Sequence, residues 1–356
     1  KMRTFKYVIL YLLIIQLVLP LLVPLEAVYN FRMDYEIVKD RIEDIDPVLE
    51  QISKTIKEKK QEDYLIILGD SVAYSGPGGP EQSISFYLSQ LAEKEGKELP
   101  VYNLALPAMQ AGDLYTMLLK LQEYGISTDK LIINLIYSGF VARKPDPPCV
   151  FWLAGELKRL DPTAYETVRK NLAANNRVDT GWKAFSRQLS AFIFRKVNIF
   201  KYKDYLARKI LAPIEQPKGE DPTLGRPWFE KEFLPDLLQQ PEYQKAFSDQ
   251  AFIMDETNPQ IYFLQKIISR QQDKKTLIFL ASVNRELMQD NVEKAGYKKN
   301  LELIDQFFAE KPVAYLNLHD AIPNELFSDH LHLIPEGYQY LAEILWGQAK
   351  AMGMLE

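Results

Sequence analysis

Residues 64–79 read YLIILGDSVAYSGPGG, five apolar residues followed by glycine, aspartate and serine. A short apolar run that ends in turn residues predicts a buried strand. Ser71 then stands at the carboxyl end of this strand, where its hydroxyl can project toward a ligand. The tripeptide Gly69–Ser71 also suits an ordinary turn and helix N-cap, so by itself it is a weak signal for a nucleophile.

Four further apolar runs of similar length follow later in the chain. They are Val101–Leu104, Leu131–Ile136, Leu277–Leu280 and Val313–Leu318. Amphipathic helical stretches, such as Ser83–Glu95 and Gly112–Tyr124, lie between them. Continuous apolar strands that alternate with helices predict a five-stranded parallel sheet covered on both faces. Such α/β sheets bind ligands at the carboxyl ends of their strands.

The alternation is interrupted over residues 146–271, which are rich in aromatic residues and carry no strand signal. The length of this interval exceeds that of an ordinary loop and predicts a large helical insertion. The expected organisation is therefore a membrane anchor (1–28), a juxtamembrane helix (29–62), a core made of 63–145 and 272–356, and the insertion. The juxtamembrane helix is predicted from apolar residues at helical spacing between Asp34 and Lys60.

The N-terminal segment predicts a single transmembrane helix. Tyr7–Leu25 contains no charged residue, Lys1, Arg3 and Lys6 precede it, and Glu26 follows it. A helix needs about 20 apolar residues to cross the bilayer. The basic residues on one side predict that the N-terminus lies in the cytoplasm and the rest of the chain outside the cell membrane. A cleaved signal peptide is the alternative.

Composition excludes several classes of protein. The 356 residues include 43 basic and 48 acidic side chains, a net charge of −5, with 47% hydrophobic residues. This hydrophobic content is that of a globular chain and excludes a disordered one. The absence of basic blocks argues against a nucleic-acid partner. The single cysteine, Cys149, leaves no intramolecular disulfide.

A second motif lies near the C-terminus, where residues 327–345 read FSDHLHLIPEGYQYLAEIL. Two of the three histidines of the chain, His330 and His332, fall here, and Asp329 precedes His332 by three positions. A serine becomes a good nucleophile when an imidazole takes its proton, and a carboxylate orients that imidazole. Together with a serine at a strand end, the motif favours catalysis. A metal site at Asp329, His330 and His332 is an alternative, although the chain lacks the histidines and cysteines of a standard zinc site.

The two motifs together resemble those of the SGNH/GDSL hydrolase superfamily: Gly-Asp-Ser after the first strand and Asp-x-x-His before the last helix. The resemblance covers both parts of the core, but neither the insertion nor the anchor. It implies a flavodoxin-like three-layer sandwich and a catalytic triad of Ser71 as nucleophile, His332 as base and Asp329 as its orienting carboxylate. It also implies that the backbone N–H of Ser71 is one donor of the oxyanion hole, and it implies no metal and no cofactor.

Two other blocks of the family are altered in this chain. Ala108 stands where the family has a glycine that supplies a second oxyanion donor. The family's Gly-x-Asn-Asp after the third strand is replaced by IYSGF, residues 136–140, so Ser138 is the candidate third donor and Asn134 a weak substitute. Losing one such donor costs about 2.7–4 kcal/mol in the transition state. The sequence therefore predicts a slower enzyme, a different donor or a non-catalytic relative.

With the anchor, the resemblance implies a membrane-bound extracytoplasmic serine enzyme. Its expected reaction removes or transfers an O-acyl group, most simply acetyl, on a cell-envelope polysaccharide. The expected partners are an acylated carbohydrate, the bilayer and a membrane-bound O-acyltransferase. A plain esterase or lipase, with the insertion as an acyl-binding lid, is one alternative. A non-catalytic scaffold or glycan-binding subunit of an acylation complex is the other.

Overall fold

The apolar runs form the centre of one mainly parallel sheet in the computed structural model, which describes residues 2–142, 147–211 and 225–355. The strands are β1 (Tyr29–Asn30), β2 (Arg32–Met33), β3 (Leu65–Leu68), β4 (Val101–Asn103), β5 (Lys130–Leu135), β6 (Lys275–Leu280) and β7 (Ala314–Asn317). Their order is β1-β2-β4-β3-β5-β6-β7, and all neighbours are parallel except β1 and β2. The five predicted strands thus follow the 2-1-3-4-5 order of flavodoxin-like sheets, and the predicted fold class is confirmed.

Helices connect these strands and flank the sheet. The α-helices of the described residues are α1 (Met2–Leu22), α2 (Tyr35–Val38), α3 (Ile45–Glu58), α4 (Ser71–Tyr74), α5 (Ile84–Lys94), α6 (Ala111–Glu123), α7 (Ala154–Leu160), α8 (Pro162–Ala174), α9 (Gly181–Lys196), α10 (Asn198–Lys201), α11 (Lys203–Leu211), α12 (Leu234–Leu238), α13 (Pro241–Ala246), α14 (Pro259–Gln271), α15 (Gln289–Val292), α16 (Ala295–Ala309) and α17 (Pro335–Ala351).

Successive side chains of β3 point to opposite faces of the sheet, as a strand requires. Ile66 and Leu68 belong to an apolar cluster that includes α3, α6, α14 and α16. Leu65 and Ile67 belong to a second cluster that includes α5 and α17. All four side chains are buried. The two apolar layers on either side of the sheet give the predicted three-layer sandwich.

The segment 29–62 is not the single juxtamembrane helix that the sequence predicted. It begins with the antiparallel hairpin β1–β2, and Arg32 of β2 pairs with Asn103 of β4, so the hairpin extends the sheet by two strands. The helical prediction is correct for the short α2 and for α3, whose apolar side is buried in the core. A short run of apolar spacing cannot separate one long helix from a hairpin followed by a shorter helix.

The described part of 146–271 contains helices α7–α14 and no strand. Its last helix, α14, packs against α6, and a Cβ on Gly112 would lie 2.8 Å from Phe263 of α14. Helix α14 is therefore the crossover helix that leads into β6, and the insertion ends before it rather than at residue 271. The predicted start of the insertion at 146 lies outside the described residues.

Helix α1 contains the window Phe5–Leu22, which is long and apolar enough to cross a membrane. None of the residues in this window is buried by the rest of the chain. Among the described residues no other helix passes the same test of length and composition. A signal sequence near an N-terminus has the same features.

Candidate active site

Ser71 lies directly beyond β3, as the first residue of the short helix α4. The carboxylate of Asp70 caps this helix by accepting a hydrogen bond from the N–H of Val72 at 2.9 Å. At Gly69, a Cβ would lie only 1.8 Å from Oδ1 of Asn134 on β5. Glycine at this position therefore allows the close approach that sets the turn before Ser71.

Asn134 holds the same turn from the neighbouring strand. Its Oδ1 accepts a hydrogen bond from the N–H of Asp70 at 2.8 Å, and its Nδ2 donates to Oδ1 of Asp70 at 3.0 Å. Both side chains are buried, and burial raises the pKa of Asp70 above its ordinary value. Asn134, a weak substitute donor in the sequence analysis, is thus a positioning residue for the turn that carries Ser71.

Ser71, His332 and Asp329 form one hydrogen-bonded chain. The Oγ of Ser71 lies 2.8 Å from Nε2 of His332, and Nδ1 of His332 lies 2.7 Å from Oδ2 of Asp329. The other oxygen of Asp329 accepts the backbone N–H groups of Leu331 and His332, both at 2.7 Å. A hydroxyl, an imidazole and a carboxylate therefore meet in the order that a serine nucleophile requires, although Ser71 and His332 are 261 positions apart.

The pKa values of His332 and Asp329 are set by their burial and by their contact with each other. Burial by itself disfavours the charged imidazolium, but the attraction and hydrogen bond of Asp329 outweigh it, so the pKa of His332 is raised. Burial also disfavours the carboxylate of Asp329, yet His332 and the backbone N–H groups hold its pKa well below the ordinary value. Asp329 thus stays ionised and stabilises the imidazolium that proton transfer from Ser71 creates.

Lys231 of the insertion supports the loop that carries Asp329 and His332. Its side chain is buried, and Nζ donates to the carbonyl oxygen and to Oγ of Ser328 at 2.7 and 2.8 Å. The positive charge of Lys231 also works against the raised pKa of His332. No periodicity or motif marks this lysine, and the sequence analysis did not identify it.

The predicted oxyanion donors lie beyond the carboxyl ends of β3, β4 and β5, which are adjacent in the sheet. Within the described residues, no acceptor is found for the backbone N–H of Ser71 or of Ala108. Ala108 is exposed and has a φ of 65°, a conformation that favours glycine. Ser138 is buried in the one-turn helix Tyr137–Gly139 that follows β5.

Neighbouring contacts hold the loop around Ala108. Nε1 of Trp152 donates to the carbonyl oxygen of Pro107 at 2.7 Å. The buried carboxylate of Asp113 accepts the backbone N–H groups of residues 151–153 at 2.7–2.8 Å, and burial raises its pKa to about 6. The left-handed backbone of an alanine costs free energy and persists where the surroundings determine it. Here those surroundings include the first residues of the insertion.

Arg32 of the unpredicted hairpin holds the loop that follows α4. Its guanidinium donates to the carbonyl oxygens of Tyr74, Ser75 and Gly78 at 2.9, 2.8 and 2.5 Å. Its Cζ also lies 4.2 Å from the centre of the Tyr74 ring. The hairpin therefore holds the backbone at the C-terminal end of α4, the helix whose first residue is Ser71.

The other two histidines lie outside the hydrogen-bonded chain. The ring of His330 packs edge-on against Tyr243 and Phe247, and its Nδ1 is 3.7 Å from Asp329. Burial lowers the pKa of His330. The ring of His319 is likewise buried, and burial lowers its pKa too.

The alternative of a metal at Asp329, His330 and His332 finds no support in this geometry. Both ring nitrogens of His332 are already engaged, one by Ser71 and one by Asp329. Over the described ranges, no group of three or more histidine, cysteine, aspartate or glutamate residues has the arrangement of a metal site.

Comparison with known proteins adds little to these observations. No family model matches the sequence, and no curated protein matches it. Among solved structures, the chain is similar to a protein assigned to the G-D-S-L lipolytic family from Desulfitobacterium hafniense, with 14% identity and a TM-score of 0.35. The match covers 80% of this chain and 99% of that one. A similarity at this level carries no argument, so the chemistry is inferred from the residues of the site.

Proposed function

We propose that this protein is a serine ester hydrolase or acyltransferase. The single observation that carries the proposal is the continuous chain from Ser71 Oγ through the imidazole of His332 to the carboxylate of Asp329. A serine hydroxyl bonded to Nε2 of an imidazole whose Nδ1 is bonded to an ionised carboxylate is arranged for nucleophilic attack on an acyl group.

In the proposed reaction, Ser71 Oγ attacks the carbonyl carbon of an ester while its proton moves to Nε2 of His332. The backbone N–H groups of Ser71 and Ala108, with Ser138 as the third candidate, stabilise the oxyanion. Collapse of this intermediate breaks the ester C–O bond, and His332 returns the proton to the leaving alcohol. Water or a second alcohol then attacks the acyl-Ser71 ester by the same steps in reverse. Water gives hydrolysis and an acceptor hydroxyl gives transfer.

The substrate and location are part of the same proposal. The basic residues at the N-terminal end of α1 and the apolar run that follows them support a membrane-anchored protein whose active site lies outside the cytoplasm. The resemblance to SGNH/GDSL enzymes that work with membrane-bound O-acyltransferases supports an acetylated cell-envelope polysaccharide as substrate. Digestion of the domain by protease added to intact spheroplasts supports this orientation, and full protection contradicts it.

The chemistry is tested with a chromogenic acetyl ester and a serine-reactive fluorophosphonate. Ser71→Ala is expected to abolish labelling, and His332→Ala to lower turnover nearly as far, because triad residues act as a unit. His330→Ala is the matched control: the histidine is close in sequence and partly buried, but the hydroxyl of Ser71 is hydrogen-bonded to His332 instead. Equal damage from both histidine changes would indicate a structural role for the loop. Unchanged labelling and turnover in every variant would leave the scaffold alternative.

A further inference from the structure

Helix α9 of the insertion carries a stripe of large apolar side chains that the domain does not cover. Trp182, Phe185, Leu189 and Phe192 recur at helical spacing and are 79%, 53%, 48% and 56% exposed. Contiguous apolar surface of this kind on a folded domain marks a contact with a membrane or another protein.

All the charged side chains of α9 are basic. The helix contains Lys183, Arg187, Arg195 and Lys196 and no acidic residue. Lys183 and Arg187 are exposed and share one acidic partner, Asp179, just before the helix. Arg195 is turned into the domain, whereas Lys196 is exposed. Basic residues combined with a tryptophan, phenylalanine and leucine face are typical of helices that lie among lipid headgroups.

The end of α9 is joined directly to the candidate membrane helix. Nε2 of Gln16 in α1 donates to the carbonyl oxygen of Lys196 at 2.7 Å, and the N–H of Asn198 donates to Oε1 of Gln16 at 2.8 Å. The side-chain amide of Gln16, a polar group within an apolar helix, is thus satisfied by the junction of α9 and α10. An unsatisfied amide in hydrocarbon would cost several kcal/mol.

This contact sets the depth of the junction in a bilayer. The 18-residue window Phe5–Leu22 is about 27 Å long at 1.5 Å per residue, and the hydrocarbon core is about 30 Å thick. The whole window is therefore needed to cross, and Gln16 lies about 9 Å inside the boundary near Leu22. The junction bonded to Gln16 reaches the same level, where Ile199 and Phe200 of α10 are also exposed.

We propose that α9, with the start of α10, is an interfacial helix that inserts its apolar stripe into the same phospholipid bilayer that α1 spans. The proposal rests on a retained membrane helix α1 and is independent of the chemistry at Ser71. Two attachments, one spanning and one lying along the surface, fix the tilt of the domain relative to the membrane, which a single helical anchor does not.

The full chain in vesicles of phosphatidylcholine and phosphatidylglycerol provides the test. The native thiol, Cys149, is buried and its pKa is raised to about 12, so introduced cysteines can be labelled selectively with an environment-sensitive fluorophore. Phe185→Cys and Phe192→Cys place the label on the stripe. Ser190→Cys is the control, also exposed, but about 100° around the helix from Leu189.

We expect blue-shifted emission and at least several-fold stronger quenching by nitroxide-labelled lipids at 185 and 192 than at 190. Without any substitution on the stripe, brominated lipids should also quench Trp182, and Trp182→Phe should remove most of that quenching. Equally weak lipid quenching at all three labels would overturn the proposal. A blue shift without lipid quenching would also overturn it, because another protein surface would then cover the stripe.

Retention of the intact chain after a carbonate wash of the vesicles checks the anchor separately. Loss of the chain from the vesicles would overturn both the anchor and the interfacial helix. Fluorophosphonate labelling of Ser71, measured on the same samples, reports the proposed chemistry whatever the outcome at α9.

Discussion

Replacing Asp329 by asparagine changes the hydrogen-bonded chain with little change of shape. The asparagine oxygen can still accept the backbone N–H groups of Leu331 and His332, which Oδ1 accepts at 2.7 Å. Its NH₂ group replaces Oδ2, which lies 2.7 Å from Nδ1 of His332. A donor at this position requires Nδ1 to accept, so the ring proton moves to Nε2. That tautomer cannot take the proton of Ser71.

Asp329→Asn is expected to lower kcat strongly and also to lower the pKa of His332. In a Ser-His-Asp triad this change lowers kcat about 10⁴-fold through the wrong tautomer, which corresponds to about 5 kcal/mol of transition-state stabilisation. Removal of the Asp329 charge also removes the two largest effects that oppose burial and leaves only the attraction of Asp70, so the pKa of His332 should fall. Because the base must be neutral, activity is lost as pH falls through this pKa. The acidic limb of the kcat/KM profile should therefore move to lower pH in Asp329→Asn.

Both effects can be measured on one pair of variants. Hydrolysis of a chromogenic acetyl ester over pH 4–9 gives the loss of rate and the position of the acidic limb of the kcat/KM profile. NMR titration gives the pKa of His332 separately, because the chain has only three histidine rings to resolve. Asp320→Asn is the control, since Asp320 lies 2.8 Å from Nδ1 of His319 in a pair outside the Ser71 chain. A loss below 10-fold in Asp329→Asn, with the limb unmoved, would refute the reasoning.

Three further outcomes follow from the site. Gly69→Ala places a Cβ 1.8 Å from Asn134 and should lower both the thermal unfolding midpoint and turnover. Gly139→Ala is its control, because nothing lies within 4 Å of the added Cβ, and it should change the midpoint little. Equal midpoints for the two variants would contradict the close approach at Gly69. Ala108→Gly removes the cost of a left-handed backbone at an alanine, about 1–2 kcal/mol. Denaturant unfolding should therefore show equal or higher stability, with turnover retained. A clear loss of stability would exclude strain at this position. Lys231→Met removes two hydrogen bonds to the loop before Asp329, each worth about 1–3 kcal/mol when its partner stays buried. Turnover should fall and the acidic limb should move to higher pH, since the lysine opposes the histidine's charged form; a limb at lower pH would contradict this placement.

Local signals account for the parts of the fold that were predicted correctly. The apolar run over Tyr64–Leu68 and the four runs like it reflect strands buried on both faces, and each stays within a few positions of the observed bounds. The Asp-x-x-His spacing was equally informative, because Asp329 and His332 share one tight loop and their contact needs no distant element. The hairpin β1–β2 was missed because its strands are two residues long, too short to show any period.

Patterns along the chain therefore indicate the succession of strands and helices, a serine at a strand end, a carboxylate and an imidazole on one loop, and an apolar N-terminal helix. The resemblance to a family implied the pair of Ser71 and His332, and tertiary packing brings the two together. The bonds of Asn134 to the turn and of Lys231 to the loop before Asp329 are seen only in the folded chain. These are single polar contacts between distant segments, and a single contact leaves no periodic pattern in the chain. The exposure of the α9 stripe likewise could not be predicted from the sequence. Helical spacing shows that apolar residues share one face of a helix, but not whether that face packs against the domain or lies at its surface.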